Sequence, residues 1–169
     1  DTAPQVLSFH RGSVGLLFLL PALLGLAMVV VPLQVGARSI AFPRAAAASF
    51  WGWFLGSALL ITAFAINGGP GGGRTDAIDL WVTSTAMVVA SLCLASICVA
   101  TTALGVRSRG MSLRRAPLFT WSMLCATTVW LVTLPVLFAI LVLVYLDHRF
   151  GHVLFTDATL ALDAHLDWF

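Results

Sequence analysis

Four histidines are the side chains of this sequence best suited to metal or proton chemistry: His10, His148, His152 and His165. His10 opens a long apolar segment and is followed by Arg11, Gly12 and Gly15. An imidazole with glycines alongside can ligate a haem iron, because a missing side chain leaves room for a flat ring. The alternative is a histidine at the edge of the segment whose imidazole is hydrogen-bonded to a loop.

His148 and His152 are four residues apart, which would place both on one face of a helix. Gly151 and a loop-like setting argue against such a helical metal pair. A structural zinc site needs further ligands, and His165 is the nearest candidate. We therefore interpret these three histidines as surface-loop residues.

The rest of the sequence offers little for catalysis. Its charged residues are nine Arg and seven Asp, with no Lys and no Glu. Cys93, Cys98 and Cys125 lie inside apolar segments, where thiols pack as small hydrophobes. Because these segments contain no paired carboxylates, nucleophile triad or cysteine cluster, we predict no catalytic residue in the chain.

The elements that carry these residues must lie in lipid. The chain has 169 residues, of which 60% are hydrophobic and only 9% charged, and its mean hydropathy is +0.99. A bilayer core about 30 Å thick requires about 20 apolar residues per helix. We predict an all-α membrane protein in which residues 1–169 form one region of four transmembrane helices, at about 8–35, 45–66, 78–106 and 118–146. An outer C-terminal segment, 147–169, follows. The net charge of +2 gives no sign of a nucleic-acid partner.

The arginines predict the orientation. The first and third connections carry six of them, whereas the N-terminus, the glycine-rich loop and the C-terminal tail together carry three, Arg11, Arg74 and Arg149. The positive-inside rule then places these two connections in the cytoplasm and both termini outside. We expect no signal peptide, since no short apolar stretch with a small-residue cleavage site opens the chain. Outside termini without one suggest that a further helix precedes the sequence or has been removed.

Small residues and prolines predict how the helices pack. Gly52 and Gly56 form a small-xxx-small pair that lets two helix backbones approach closely. Pro21 and Pro135 lie within predicted helices and should kink them.

Several long strings resemble subunit I of the cytochrome c oxidases, the haem-copper oxygen reductase family. They are VPLQVGARSIAFPR (31–44), RGMSLRRAPLFTWSML (109–124) and LPVL (134–137), the last followed by Asp147 and Arg149. The resemblance covers nearly the whole chain and implies that it corresponds to helices II to V of a twelve-helix fold. It also implies that His10, eleven residues before Pro21, is an axial ligand of a low-spin haem. The copper ligands and the active-site haem ligand of the family lie beyond helix V, so we expect this chain to bind no copper.

The family's proton path is altered in this sequence. Its entry acid corresponds to Ser39, and one of its two serines remains as Ser91. The other polar positions have become apolar or thiol side chains: Met28, Ala46, Ala47, Leu92 and Cys98. Since water in an apolar passage needs at least two polar partners, we expect no proton uptake by this route.

The resemblance implies a subunit of a respiratory terminal oxidase that carries electrons through haem to oxygen. We expect it in a bacterial-type plasma membrane or another energy-transducing membrane, with other oxidase subunits or the remaining subunit I helices as partners. The alternative is a degenerate, non-catalytic scaffold subunit of a larger membrane complex. A small-solute transporter would need polar groups near the membrane midplane, and the segments show few.

Overall fold

The computed structural model describes residues 3–66, 68–69, 75–108 and 110–150, and every secondary-structure element in these ranges is helical. The predicted all-α fold is confirmed, with four helices long and apolar enough to cross a membrane. The elements in chain order are α1 (Ala3–Gly12), a π-helical segment (Ser13–Leu19), α2 (Leu20–Val35), α3 (Pro43–Ala65), α4 (Thr75–Gly105), a 3₁₀ turn (Leu113–Arg115) and α5 (Leu118–Phe150). The first three of these form one continuous span.

The ends of the helices follow from local residue chemistry. Gly36 ends α2 in the left-handed conformation, with φ 68°, a conformation that glycine adopts without steric cost. Pro43 begins α3, where its fixed φ suits the first helical turn and its missing N–H costs no hydrogen bond. Asp76 lies in the first turn of α4 and complements the positive end of the helix dipole.

The third span lies at the centre of the bundle. Helix α4 packs against α3, α5 and α2, and 56% of its apolar window is buried, against 22%, 22% and 17% for the first, second and fourth spans. The other spans therefore leave most of their apolar surface outside the bundle, which suits a chain surrounded by lipid or by further helices.

The predicted close approach occurs between α3 and α4. A Cβ added at Gly56 would meet Ser84 O and Val88 N of α4 at 3.3 and 3.2 Å, and one added at Gly52 would collide with Ser91 Oγ. The small-xxx-small pair thus lies directly against α4, as the sequence predicts.

Polar contacts join the connections to the helices at one end of the bundle. The Ser108 N–H donates to Val35 O at 3.1 Å, which links the third connection to the first. The Ala41 N–H donates to Thr102 Oγ1 at 3.0 Å, and Thr120 Oγ1 and Gln34 Oε1 are hydrogen-bonded at 2.7 Å.

Candidate functional site

His10 lies near the end of α1, and its side chain is exposed. Its backbone carbonyl accepts a hydrogen bond from Ser13 Oγ at 3.2 Å. Among the described residues its imidazole has no hydrogen-bond or ion-pair partner. The nearby connection includes residues outside the described ranges, so the alternative of a loop contact stays a prediction. An imidazole nitrogen without a partner is free to ligate a metal.

The helix widens immediately after His10. Ser13–Leu19 is π-helical, and the N–H of Leu20 donates to Gly15 O, five residues back. The sequence predicts that Pro21 disturbs the helix, and the π-helical segment just before it is such a disturbance. A proline ring clashes with the carbonyl four residues earlier, and a wider turn relieves that clash. Helix α5, by contrast, runs through Pro135 without interruption.

The surface beside His10 is open and apolar. A Cβ added at Gly12 or Gly15 would meet no atom within 4 Å. The neighbouring Val14 and Phe18 are 46% and 71% exposed. One nitrogen ligand, two glycines and apolar side chains fit the binding of one face of a haem. No group of three or more His, Cys, Asp or Glu side chains in the described ranges could hold a metal ion.

A cavity of about 350 Å³ lies between the first span, α3 and α4. Its walls are almost wholly apolar and include three residues of the predicted altered proton path, Met28, Ser91 and Leu92. The remaining lining residues are Leu17, Phe18, Pro21, Ala22, Leu24, Gly25, Ser49, Phe50, Trp53 and Ala95.

The cavity has few polar groups in its walls, and its two serine hydroxyls are hydrogen-bonded within their own helices. The hydroxyls of Ser49 and Ser91 donate to Ala46 O and Met87 O of their own helices, each at 2.8 Å. Trp53 Nε1 is buried and has no hydrogen-bond partner among the described residues. A chain of waters needs two to four polar partners for each molecule, and this lining offers no such series.

The other residues of the predicted path lie nearer the connections and are not brought to the cavity. Ser39 is exposed in the first connection, Ala47 is exposed on α3 and Ala46 is half-buried. Cys98 is buried beneath the connection, with its Sγ 3.9 Å from Phe42 O. Ser39 is therefore not part of one polar site with Ser91.

At the opposite end of the bundle the structure shows an ion-pair cluster that the sequence interpretation missed. Helix α5 continues to Phe150, so the expectation that His148 lies in a surface loop is wrong. Its Nδ1 is 2.7 Å from Asp79 Oδ1 at the start of α4, and Arg149 Nη1 is 3.6 Å from Asp79 Oδ2. Antiparallel neighbours place the start of one helix beside the end of the next, and this was the signal available in the sequence. His152 and His165 lie outside the described residues.

Comparisons with known proteins agree with the resemblance noted in the sequence. The model of the family described as cytochrome c and quinol oxidase polypeptide I matches residues 2–169. A putative cytochrome c oxidase subunit 1-beta of Streptomyces avermitilis is 32% identical over 98% of this chain and 32% of its own length. The quinol oxidase subunit 1 of Bacillus subtilis is 34% identical over 90% of this chain and 25% of its own length. The chain thus spans about a third or less of the length of these relatives.

Proposed function

The chain belongs to the family of cytochrome c and quinol oxidase polypeptide I, and we propose that it forms the haem-ligating part of such a subunit in a respiratory terminal oxidase. In this proposal the imidazole of His10 would hold the iron of a low-spin haem, and that haem, when bound, would supply electron transfer towards oxygen. The observation that carries it is the imidazole of His10, exposed and without a partner in the described residues, beside an open and apolar helix face.

Each residue near His10 has a defined part in this proposal. The imidazole supplies one nitrogen ligand, and the glycines at 12 and 15 let a flat ring approach the helix backbone. Val14 and Phe18 exclude water from the ring edge, since both present apolar side chains on the outside of the span. A bound haem supplies one-electron redox chemistry, whose potential depends on its axial ligands and on burial. Copper and the active-site haem would be bound by other parts of the oxidase.

A reduced-minus-oxidised haem spectrum of the assembled complex tests the role of His10. We expect His10→Ala to lose the low-spin band. We expect His10→Met to keep a low-spin haem at a higher potential, since a thioether is also an axial ligand and raises the potential. His148→Ala is the matched control, because it removes an imidazole that is already paired with Asp79. An unchanged spectrum in His10→Ala contradicts the ligand role, and a complex without haem favours the scaffold alternative.

We further propose that no proton uptake follows the route used by the family. The apolar walls of the cavity between α2, α3 and α4 support this, because Met28 and Leu92 lie among them and both serine hydroxyls donate to their own helices. A dry passage cannot relay protons.

The orientation is also part of the proposal. Both termini would lie on the outer face, and the first and third connections at the cytoplasmic face of a bacterial-type plasma membrane or another energy-transducing membrane. The distribution of arginine supports this assignment, because the two connections carry six of the nine arginines. The partners would be lipid, the remaining helices of the subunit and the other oxidase subunits.

A further inference from the structure

Uncompensated positive charge is concentrated at one end of the bundle. Five described arginines lie there, four of them exposed and Arg107 partly exposed: Arg38, Arg44, Arg107, Arg114 and Arg115. The sequence of the two connections, 36–44 and 106–117, contains no acidic residue. The two ion pairs of Asp79 lie at the opposite end. We call residues 36–44, 106–108 and 110–117 the arginine end.

The backbone holds the two connections of the arginine end together. The Ser108 N–H donates to Val35 O at 3.1 Å, and a Cβ added at Gly36 would meet Ser108 Oγ at 2.8 Å. The Ala41 N–H donates to Thr102 Oγ1 at 3.0 Å, which fixes the first connection to the end of α4. Arginines from two separate connections are therefore presented as one positive surface whose own chain supplies no counter-charge.

Exposed apolar side chains border these arginines. Leu33, Phe42 and Leu118 are 74%, 50% and 85% exposed, at or next to the ends of α2, α3 and α5. Trp121 is on the first turns of α5, and its Nε1 donates to Leu113 O at 3.0 Å. Tryptophan at this depth is typical of the membrane–water interface. The arginine end thus combines positive charge with an adjacent apolar surface at the ends of the helices.

We propose that the arginine end binds the headgroups of anionic phospholipids. Charge complementarity selects the phosphate, and arginine matches it as a bidentate donor. The acyl chains lie against Leu33, Phe42 and Leu118, which a soluble polyanion would leave uncovered. Basic residues next to a membrane each strengthen the attraction to an anionic leaflet. This inference does not rest on the haem proposal.

Lipid retention by the full-length subunit in its complex tests the inference. The complex is reconstituted in vesicles of phosphatidylcholine with increasing phosphatidylglycerol, and bound lipid is counted by native mass spectrometry. Arg114→Gln/Arg115→Gln is compared with the charge-matched pair Arg11→Gln/Arg149→Gln at the other end. We expect the apparent affinity for phosphatidylglycerol to fall roughly 25-fold in the first pair, about fivefold per arginine, and to change little in the second. The difference should shrink as salt is raised.

Several results would overturn the inference, and circular dichroism confirms beforehand that each variant keeps its helices. The inference fails if wild type retains phosphatidylcholine and phosphatidylglycerol equally, or if both double variants lose lipid equally. It also fails if inorganic phosphate at matched concentration displaces the lipid completely, which would indicate a simple anion site. Tighter binding of RNA than of phosphatidylglycerol vesicles would assign the surface to another partner.

Discussion

The contact between α3 and α4 gives the sharpest test of the packing, through the substitution Gly56→Ala. The added Cβ would lie 2.9 Å from Val88 Cγ2, 3.2 Å from Val88 N and 3.3 Å from Ser84 O. A valine side chain in a helix has little freedom at χ1, and the other two atoms belong to the backbone. The methyl group can therefore be accommodated only if α3 and α4 move apart.

The size of the effect follows from two opposing terms. Overpacking a tight contact costs about 1–3 kcal/mol, whereas alanine is favoured over glycine within a helix by about 1 kcal/mol. We expect Gly56→Ala to lower the free energy of unfolding by about 0–2 kcal/mol. Gly25→Ala is the matched control, since a Cβ there meets no atom within 4 Å. It should be neutral or stabilising by up to about 1 kcal/mol.

Unfolding in mixed detergent micelles, followed by circular dichroism, measures both variants under the same conditions. The reasoning is refuted if Gly56→Ala is as stable as Gly25→Ala. A second comparison tests the same helix contact at Gly52. A Cβ added there would collide with the hydroxyl of Ser91 but would lie 3.4 Å from the Ser91 Cβ, an ordinary contact distance. Ser91→Ala should therefore restore much of the stability lost in Gly52→Ala, and additive effects of the two substitutions would contradict the contact.

Three further results are expected. His148→Ala should lower the free energy of unfolding by about 1–2 kcal/mol in the same detergent assay, because it leaves a carboxylate of α4 without its 2.7 Å partner. The Arg149 side chain is 60% exposed, so Arg149→Ala should lower the free energy of unfolding by less than about 1 kcal/mol. Equal losses of stability in the two variants would argue against the His148–Asp79 pair. In the reconstituted oxidase, Ser39→Ala should leave proton uptake unchanged. Loss of proton pumping in this variant would show that protons do enter at Ser39 and would contradict the prediction. In intact cells an impermeant thiol reagent should label Thr75→Cys and spare Ser112→Cys, and the reverse pattern would invert the orientation.

The four spans were predictable because lipid imposes a single requirement on each of them. A helix must be long and apolar enough to pair every backbone polar group in the hydrocarbon core, and this length is visible in the sequence. The end of α5 was not, because its last turn is polar and its ion-pair partner, Asp79, lies on another helix. His148 and Arg149 are charged or polar in sequence, yet they remain helical where Asp79 of α4 lies against them.

The sequence could single out the candidate residue but not its surroundings. His10 attracted attention because an ionisable side chain at the start of an apolar helix is rare and costly, and its role as a haem ligand stays a prediction. That Met28, Ser91 and Leu92 would line one cavity could not be read from the sequence, since they lie on helices whose relative rotation depends on packing. The same holds for Cys98, which lies under the first connection and outside the lining of that cavity.

The wide turn after His10 explains why this histidine and Pro21 lie on different faces of the first span. In a regular α-helix eleven residues make about three turns, which would put both on nearly the same face. The π-helical segment uses about one residue more per turn, so the residues before it are offset by about a quarter of a turn or slightly more. Pro21 consequently lines the cavity between α2, α3 and α4, whereas His10 is exposed on the outside of the first span. The wide turn thereby places the imidazole of His10 on the exposed side of the first span, away from the cavity that Pro21 lines.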